Sequence, residues 1–131
     1  MTPFESRLLP AAPDVIAPDG SEVRFVSVAM AGVSMVHCTL PPGAITKAVH
    51  HRTVEEAWLC ISGKGRLWRS QDGAEETIDL VPGSGASIAT GMRFQFRNDG
   101  ATPLEIVIAT FPPWPGNEEA VPCEGAWTPK V

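Results

Sequence analysis

The chain has 131 residues, 44% of them hydrophobic, which suits one domain with a real core and leaves too little for two. Lys and Arg number 10 against 15 Asp and Glu, a net charge of −5 with no basic stripe to follow a phosphate backbone, so nucleic acid is excluded as a partner. No apolar run approaches the length of a membrane span, which argues against a membrane partner; residues 1–6 lack the basic and apolar regions of a signal peptide, so the expected location is the cytoplasm.

Taken in chain order, residues 1–21 read as an extended N-terminal arm, Pro- and Ala-rich through Asp19. From there the glycines and prolines punctuate short apolar runs, and no segment sustains a helical period. The runs predict strands at 22–29, 33–40, 56–61, 66–70, 76–80, 85–88, 93–97 and 104–110. Turn chemistry separates them at Asp19-Gly20, Pro41-Pro42-Gly43, Ser62-Gly63, Asp72-Gly73, Pro82-Gly83 and Asp99-Gly100. This is an all-β pattern, and a single jelly-roll β-barrel over residues 22–110 follows from it. Residues 111–131 form a C-terminal tail that resists regular structure. Because the tail carries both Trp114 and Trp127, it is expected to pack on the barrel or on a second subunit.

Cys38, Cys60 and Cys123 are odd in number and contain no Cys-x-x-Cys pair, so they read as reduced thiols and not as a disulfide framework or zinc knuckle. Cys60 lies in an apolar strand pattern, where an inert buried thiol is the simpler reading than a nucleophile.

Two groups of residues stand at recurrent spacings. Gly43, His51, Glu56 and Gly63 form the first; Gly91 and Asn98, with Phe94 between them, form the second. Together, in order and separated by turn residues, they resemble the two motifs of the cupin family. The runs His51-Arg52-Thr53-Val54-Glu55-Glu56 and Phe111-Pro112-Pro113-Trp114-Pro115-Gly116 are similar to a subgroup of small single-domain cupins. The resemblance implies four metal-ligand positions, which here hold Val49, His51, Glu56 and Phe94. Two of the four carry hydrocarbon, so no metal and no other cofactor is expected. His50 falls on the alternate step of its strand and is expected to point outward, whereas His37, on the preceding strand, would complete an unusual ligand set if it pointed inward.

Counting from those positions, Glu56, Trp58 and Cys60 share one face of a strand, and Met92, Phe94 and Phe96 share one face of a later one. The expected interior is an apolar chamber in which His51 and Glu56 are catalytic, with His37, Trp58, Cys60, Met92, Phe94 and Phe96 as ligand-binding residues. The same aromatics could instead simply fill the barrel, and the His–Glu pair could be a buried structural bond. Arg52, Arg93 and Arg97 would either contact an anion at the mouth or solvate the surface. Three functions fit: a metal-independent acid–base enzyme of isomerase, epimerase, cyclase or lyase type acting on a small carbonyl or aromatic compound; a ligand-binding or sensing module; and a metal-dependent oxygenase with an unusual ligand set. A small-molecule ligand is the expected partner, and open sheet edges favour a homodimer.

Overall fold

A computed structural model describes residues 4–131. Met1, Thr2 and Pro3, the first residues of the expected arm, lie outside the described residues. Eleven strands run β1 (Val15–Ile16), β2 (Glu22–Ser27), β3 (Ser34–Leu40), β4 (Val49–His51), β5 (Glu55–Ser62), β6 (Gly65–Gln71), β7 (Ala74–Leu80), β8 (Gly85–Ile88), β9 (Arg93–Asn98), β10 (Leu104–Phe111) and β11 (Ala120–Pro122). Among the described residues there is no α-helix, and no helix is long and apolar enough to cross a membrane. A single 3₁₀ turn occupies Asn117–Glu119.

The strands make two antiparallel sheets, a six-stranded one in the order β1-β2-β3-β10-β5-β8 and a five-stranded one in the order β11-β4-β9-β6-β7. The two face each other as the expected jelly roll, and among the described residues no ladder joins one sheet to the other. β10 shows why the chain folds this way. Leu104, Ile106, Ile108 and Thr110 are buried while Glu105, Val107 and Ala109 are half-exposed and Phe111 is exposed, the strict alternation of a strand with one face on the core. β5 behaves likewise, with Trp58 and Cys60 inward and Ala57, Leu59 and Ile61 outward. The core between the sheets is built from residues such as Leu40, Leu67, Leu80, Ile88, Phe96 and Ile106, each 1% exposed or less.

Three short strands were absent from the sequence reading: β1, β4 and β11. Two or three residues are too few to display a period. β1 lies within the arm and pairs with β2, so the edge of the larger sheet is covered by the chain's own N-terminal segment. The tail, read as irregular, contributes the 3₁₀ turn and β11, which adds to the edge of the smaller sheet beside β4. Gly63, the closing glycine of the first motif, has φ +90°, and a Cβ there would stand 2.7 Å from the Pro103 carbonyl oxygen and 2.8 Å from the Leu104 Cα. Only glycine fits that turn.

Candidate functional site

One end of the space between the sheets is open and forms a chamber of about 370 Å³. β3, β4, β5, β9 and β10 supply its walls, Val15 to Asp19 of the arm bound one side, and Pro113 to Asn117 of the tail bound the other.

His51 reaches the wall from β4 and is 4% exposed. Its ring meets Phe94 edge-on at 5.1 Å and Trp114 at 5.2 Å. Nδ1 is buried with no hydrogen-bond partner. Burial pushes the imidazole down to about 4, against the raising influence of Glu119, and His50 adds to the depression. His51 is therefore neutral at physiological pH.

Glu56 stands on β5, half-buried at the same chamber. The Trp58 indole N–H donates to its Oε1 at 3.0 Å, and the Thr110 hydroxyl donates to Oε2 at 2.9 Å. The low-dielectric wall nevertheless dominates and pushes the carboxyl up to about 7, with the negative charges of Asp19 and Glu119 adding to the rise. Trp58, which holds the carboxylate, is itself wedged edge-on against Phe94 at 5.6 Å and Phe96 at 5.1 Å.

Of the residues expected at the site, the structure thus brings together His51, Glu56, Trp58, Phe94 and Phe96. It does not bring in the other three. On β3 the residues lining the chamber are Ser34, Val36 and Cys38, so His37 faces the opposite way. Its Nε2 is 2.9 Å from Glu105 Oε1 in an outer groove shared with Arg24 and Thr39, under Leu9 to Ala11 of the arm. The ligand set that would have used His37 is thereby ruled out by strand parity. Cys60 points inward but lies beyond Trp58 in the packed core, its thiol donating to the Ser62 carbonyl at 3.7 Å. Met92 packs against the core from the turn before β9 and does not reach the chamber wall. The arginines expected near the mouth are engaged elsewhere: Arg52 with the Glu118 carbonyl, Arg93 with the Ser70 hydroxyl, and Arg97 with Asp99.

Thr110, Ser34, Cys38 and Asp19 are among the polar residues at the chamber that the sequence reading missed. Thr110 shares its face of β10 with Ile106 and Ile108, so alternation alone would have found it. Ser34 accepts the Trp114 backbone amide at 3.1 Å and so ties the tail to the chamber rim. Cys38 lines the wall at 2% exposure, where burial drives its thiol far above the ordinary value. Asp19, read as a turn residue, is 8% exposed and lines the chamber. Burial raises its carboxyl, although Oδ1 accepts both the amide and the hydroxyl of Ser21, at 2.9 and 2.7 Å.

The residues present do not fit a metal. Val49 and Phe94 are direct partners across β4 and β9, both are 2% exposed, and both line the chamber, so hydrocarbon fills the place of two donors. Among the described residues no three His, Cys, Asp or Glu side chains converge to complete the set.

The family model for a cupin domain matches residues 36–110. The protein is a cupin. Solved structures of the same architecture include CapF with the inhibitor 3-isopropenyl-tropolone, 16% identical with a TM-score of 0.71 over 90% of this cupin and 34% of that chain. Recombinant oxalate oxidase in complex with glycolate is 23% identical, with a TM-score of 0.70 over 86% of this cupin and 61% of that chain. An uncharacterised double-stranded β-helix protein from Klebsiella pneumoniae is 19% identical, with a TM-score of 0.66 over 80% and 85%. This cupin spans about a third of the CapF chain and less than two thirds of the oxalate oxidase chain. At such identities the likeness concerns the fold.

Proposed function

We propose that this cupin binds a small, partly apolar organic molecule in its chamber and that His51 and Glu56 transfer a proton on it without a metal, in a reaction of isomerase, epimerase, cyclase or lyase type. The observation that carries the reading is the pairing of two polar groups of matched protonation on one apolar wall. Glu56, with its carboxyl near 7, exchanges a proton readily at neutral pH, and Trp58 and Thr110 fix its orientation. No hydrogen bond joins it to His51, so both groups are free to address a ligand. In the proposed step a Glu56 oxygen removes a proton from carbon next to a carbonyl and later returns it, while the neutral imidazole of His51 donates its N–H to the carbonyl oxygen. The apolar walls keep bulk water from quenching the carbanion-like intermediate.

Oxygenase chemistry on a bound metal has no comparable support, since Val49 and Phe94 occupy two of the ligand positions. Nor does the chamber favour a small hydroxycarboxylate such as the glycolate held by oxalate oxidase, because among the described residues no lysine or arginine lines it. Three free cysteines suit a reducing compartment, and a cytoplasmic location belongs to the same reading. So does a homodimer: Met35, Leu59 and Ile61 leave the outer face of the six-stranded sheet apolar at 36%, 46% and 43% exposure. Light scattering that returns a monomer at every concentration removes the dimer.

The test of the catalytic reading is a ligand screen followed by turnover assays on wild type, His51→Ala and Glu56→Gln. Loss of either group is expected to cost roughly 10²–10⁴ in rate while the protein stays folded. If a ligand binds wild type and both variants equally and wild type never turns it over, the chamber is a binding module.

A further inference from the structure

The charge inventory of the chamber is one-sided. Two carboxyls line it, Asp19 from the end of the arm and Glu56 from β5, and among the described residues no lysine or arginine does. The two are near enough that Asp19 contributes to the electrostatic environment of Glu56, and both contribute to that of Cys38 between the strands. The nearest cation to Asp19 is Lys47, whose backbone amide donates to the Asp19 carbonyl but whose side chain is exposed and is not part of the wall.

Carboxylates on an apolar wall are costly to hold ionised where no cation on that wall repays their desolvation. Lys47 eases the charge of Asp19 from outside the wall, but burial outweighs it. The protein nonetheless holds both side chains in their acceptor roles. Both Glu56 oxygens receive donors, and Asp19 Oδ1 receives two, from the amide and hydroxyl of Ser21. Around them stand Trp58, Phe94 and Trp114, which suit the body of an apolar molecule. An independent sign that a polar ligand group is missing comes from His51, 4% exposed at the same wall with Nδ1 unpartnered.

We propose that the natural ligand of this chamber is a protonated amine on an aromatic or alicyclic body, its ammonium seated between Asp19 and Glu56 and its apolar part against Trp58, Phe94 and Trp114. An ammonium supplies the counter-charge that the wall lacks and brings hydrogen-bond donors of its own, and the same field repels a carboxylate or phosphate. Specificity of this kind arises from the repulsion as much as from the attraction. The proposal rests on the reading of the chamber as a ligand site, while the proton transfer is tested separately by turnover.

The test uses three probes of one shape and different charge: 2-phenylethylamine, 2-phenylethanol and phenylacetate. Their binding to the full chain at pH 8 is followed by isothermal calorimetry and by quenching of tryptophan fluorescence. The amine is expected to bind about tenfold or more tighter than the alcohol, a difference of about 1.4 kcal/mol, and phenylacetate more weakly than either. Asp19→Asn and Glu56→Gln should each erase most of the amine's advantage while changing the alcohol's affinity little. Should Asp19→Asn disturb the turn it shares with Ser21, as circular dichroism would reveal, Glu56→Gln carries the comparison. Equal affinity across the three probes, preference for phenylacetate, or an amine advantage that survives Glu56→Gln overturns the amine class and leaves the chamber a ligand site. No binding of any probe at millimolar concentration overturns both.

Discussion

The carboxylate of Glu119, in the tail, receives the backbone amide of Thr53 at 2.6 Å and its hydroxyl at 2.7 Å. The Val54 amide donates at 2.8 Å to Oε2, the oxygen that also accepts the Thr53 amide, so one side chain 66 residues downstream of Thr53 satisfies the turn that joins β4 to β5. That turn separates His51 from Glu56. The tail is thus a structural part of the site and fixes the relative placement of its two polar residues. Burial opposes the charge of Glu119, but the two backbone donors and the Thr53 hydroxyl outweigh it, and the carboxyl lies below its ordinary value.

Removing that carboxylate leaves two amides and a hydroxyl without their acceptor. Glu119→Ala is expected to destabilise the fold by about 2–4 kcal/mol, and Glu119→Gln by about half as much, since the amide oxygen replaces one acceptor. Chemical denaturation measures both. Equal stability of all three proteins would show that water satisfies the turn as well as Glu119 does.

The eight longer strands could be read from alternation and turn residues because each is long enough to show a period of two and is bounded by Gly, Pro or Asp. The site was readable where the motif spacing reached it, at His51, Glu56, Trp58, Phe94 and Phe96. His37 precedes the first motif, and nothing fixed the parity of β3; a shift of one residue exchanges its faces. Gln95 illustrates a second limit. Its place between Phe94 and Phe96 marks it as outward and therefore exposed, yet it is fully buried. The tail covers that face: Gln95 Nε2 donates to the Thr46 and Trp127 carbonyls, both at 2.8 Å, and Oε1 accepts the Trp127 amide at 2.9 Å. Burial by a distant segment leaves no local period to detect. Asp19 was hidden for the opposite reason, because Asp-Gly is an adequate turn signal by itself.

His51 and Glu56 predict opposed pH dependences of stability. The folded Glu56 carboxyl is raised from 4.5 to about 7, so between those values the unfolded chain has lost a proton that the folded one keeps, and stability falls as pH rises. The His51 imidazole is lowered from 6.5 to about 4, so between 4 and 6.5 the unfolded chain binds a proton that the folded one refuses, and stability falls as pH drops. Each effect amounts to up to about 3 kcal/mol, and they offset one another between 4.5 and 6.5. Glu56→Gln should therefore uncover a steep rise of stability from pH 4 to 6.5, while His51→Ala should uncover a decline from 4.5 to 7. Thermal melts across that range check the signs; a variant with the slope of wild type would show that its group titrates normally.

Trp114 is half-buried, tied to Ser34 through its amide and set against the His51 ring. Full burial of an aromatic ring would make its truncation cost about 3–5 kcal/mol, and the exposed half reduces the expected loss for Trp114→Ala to about 1–3 kcal/mol. The more specific consequence concerns His51. With the indole gone, water reaches the imidazole, desolvation weakens, and its titration should move up from about 4 toward 6.5. Proton NMR of the imidazole in wild type and variant measures the shift. An unmoved titration would mean that Phe94 and the strand wall alone keep His51 dry.

The last expectation concerns metal. Purified without chelators, the protein should hold well under one equivalent of iron, manganese, zinc, nickel or copper, and added metal should leave its melting temperature unchanged. The argument is chemical: a transition metal here would have His51 and Glu56 as its motif ligands and Val49 and Phe94 as walls, short of the three or four protein donors a stable site needs. A ligand that binds the folded state alone must raise stability by RT ln(1 + [L]/Kd), so a tight metal could not escape notice in the melt. Replacing Val49 and Phe94 together by His should create the site, with a melting temperature that then rises on adding metal. Stoichiometric metal in the wild-type protein, lost in His51→Ala, would restore the oxygenase reading and require a donor set other than the one the strands present.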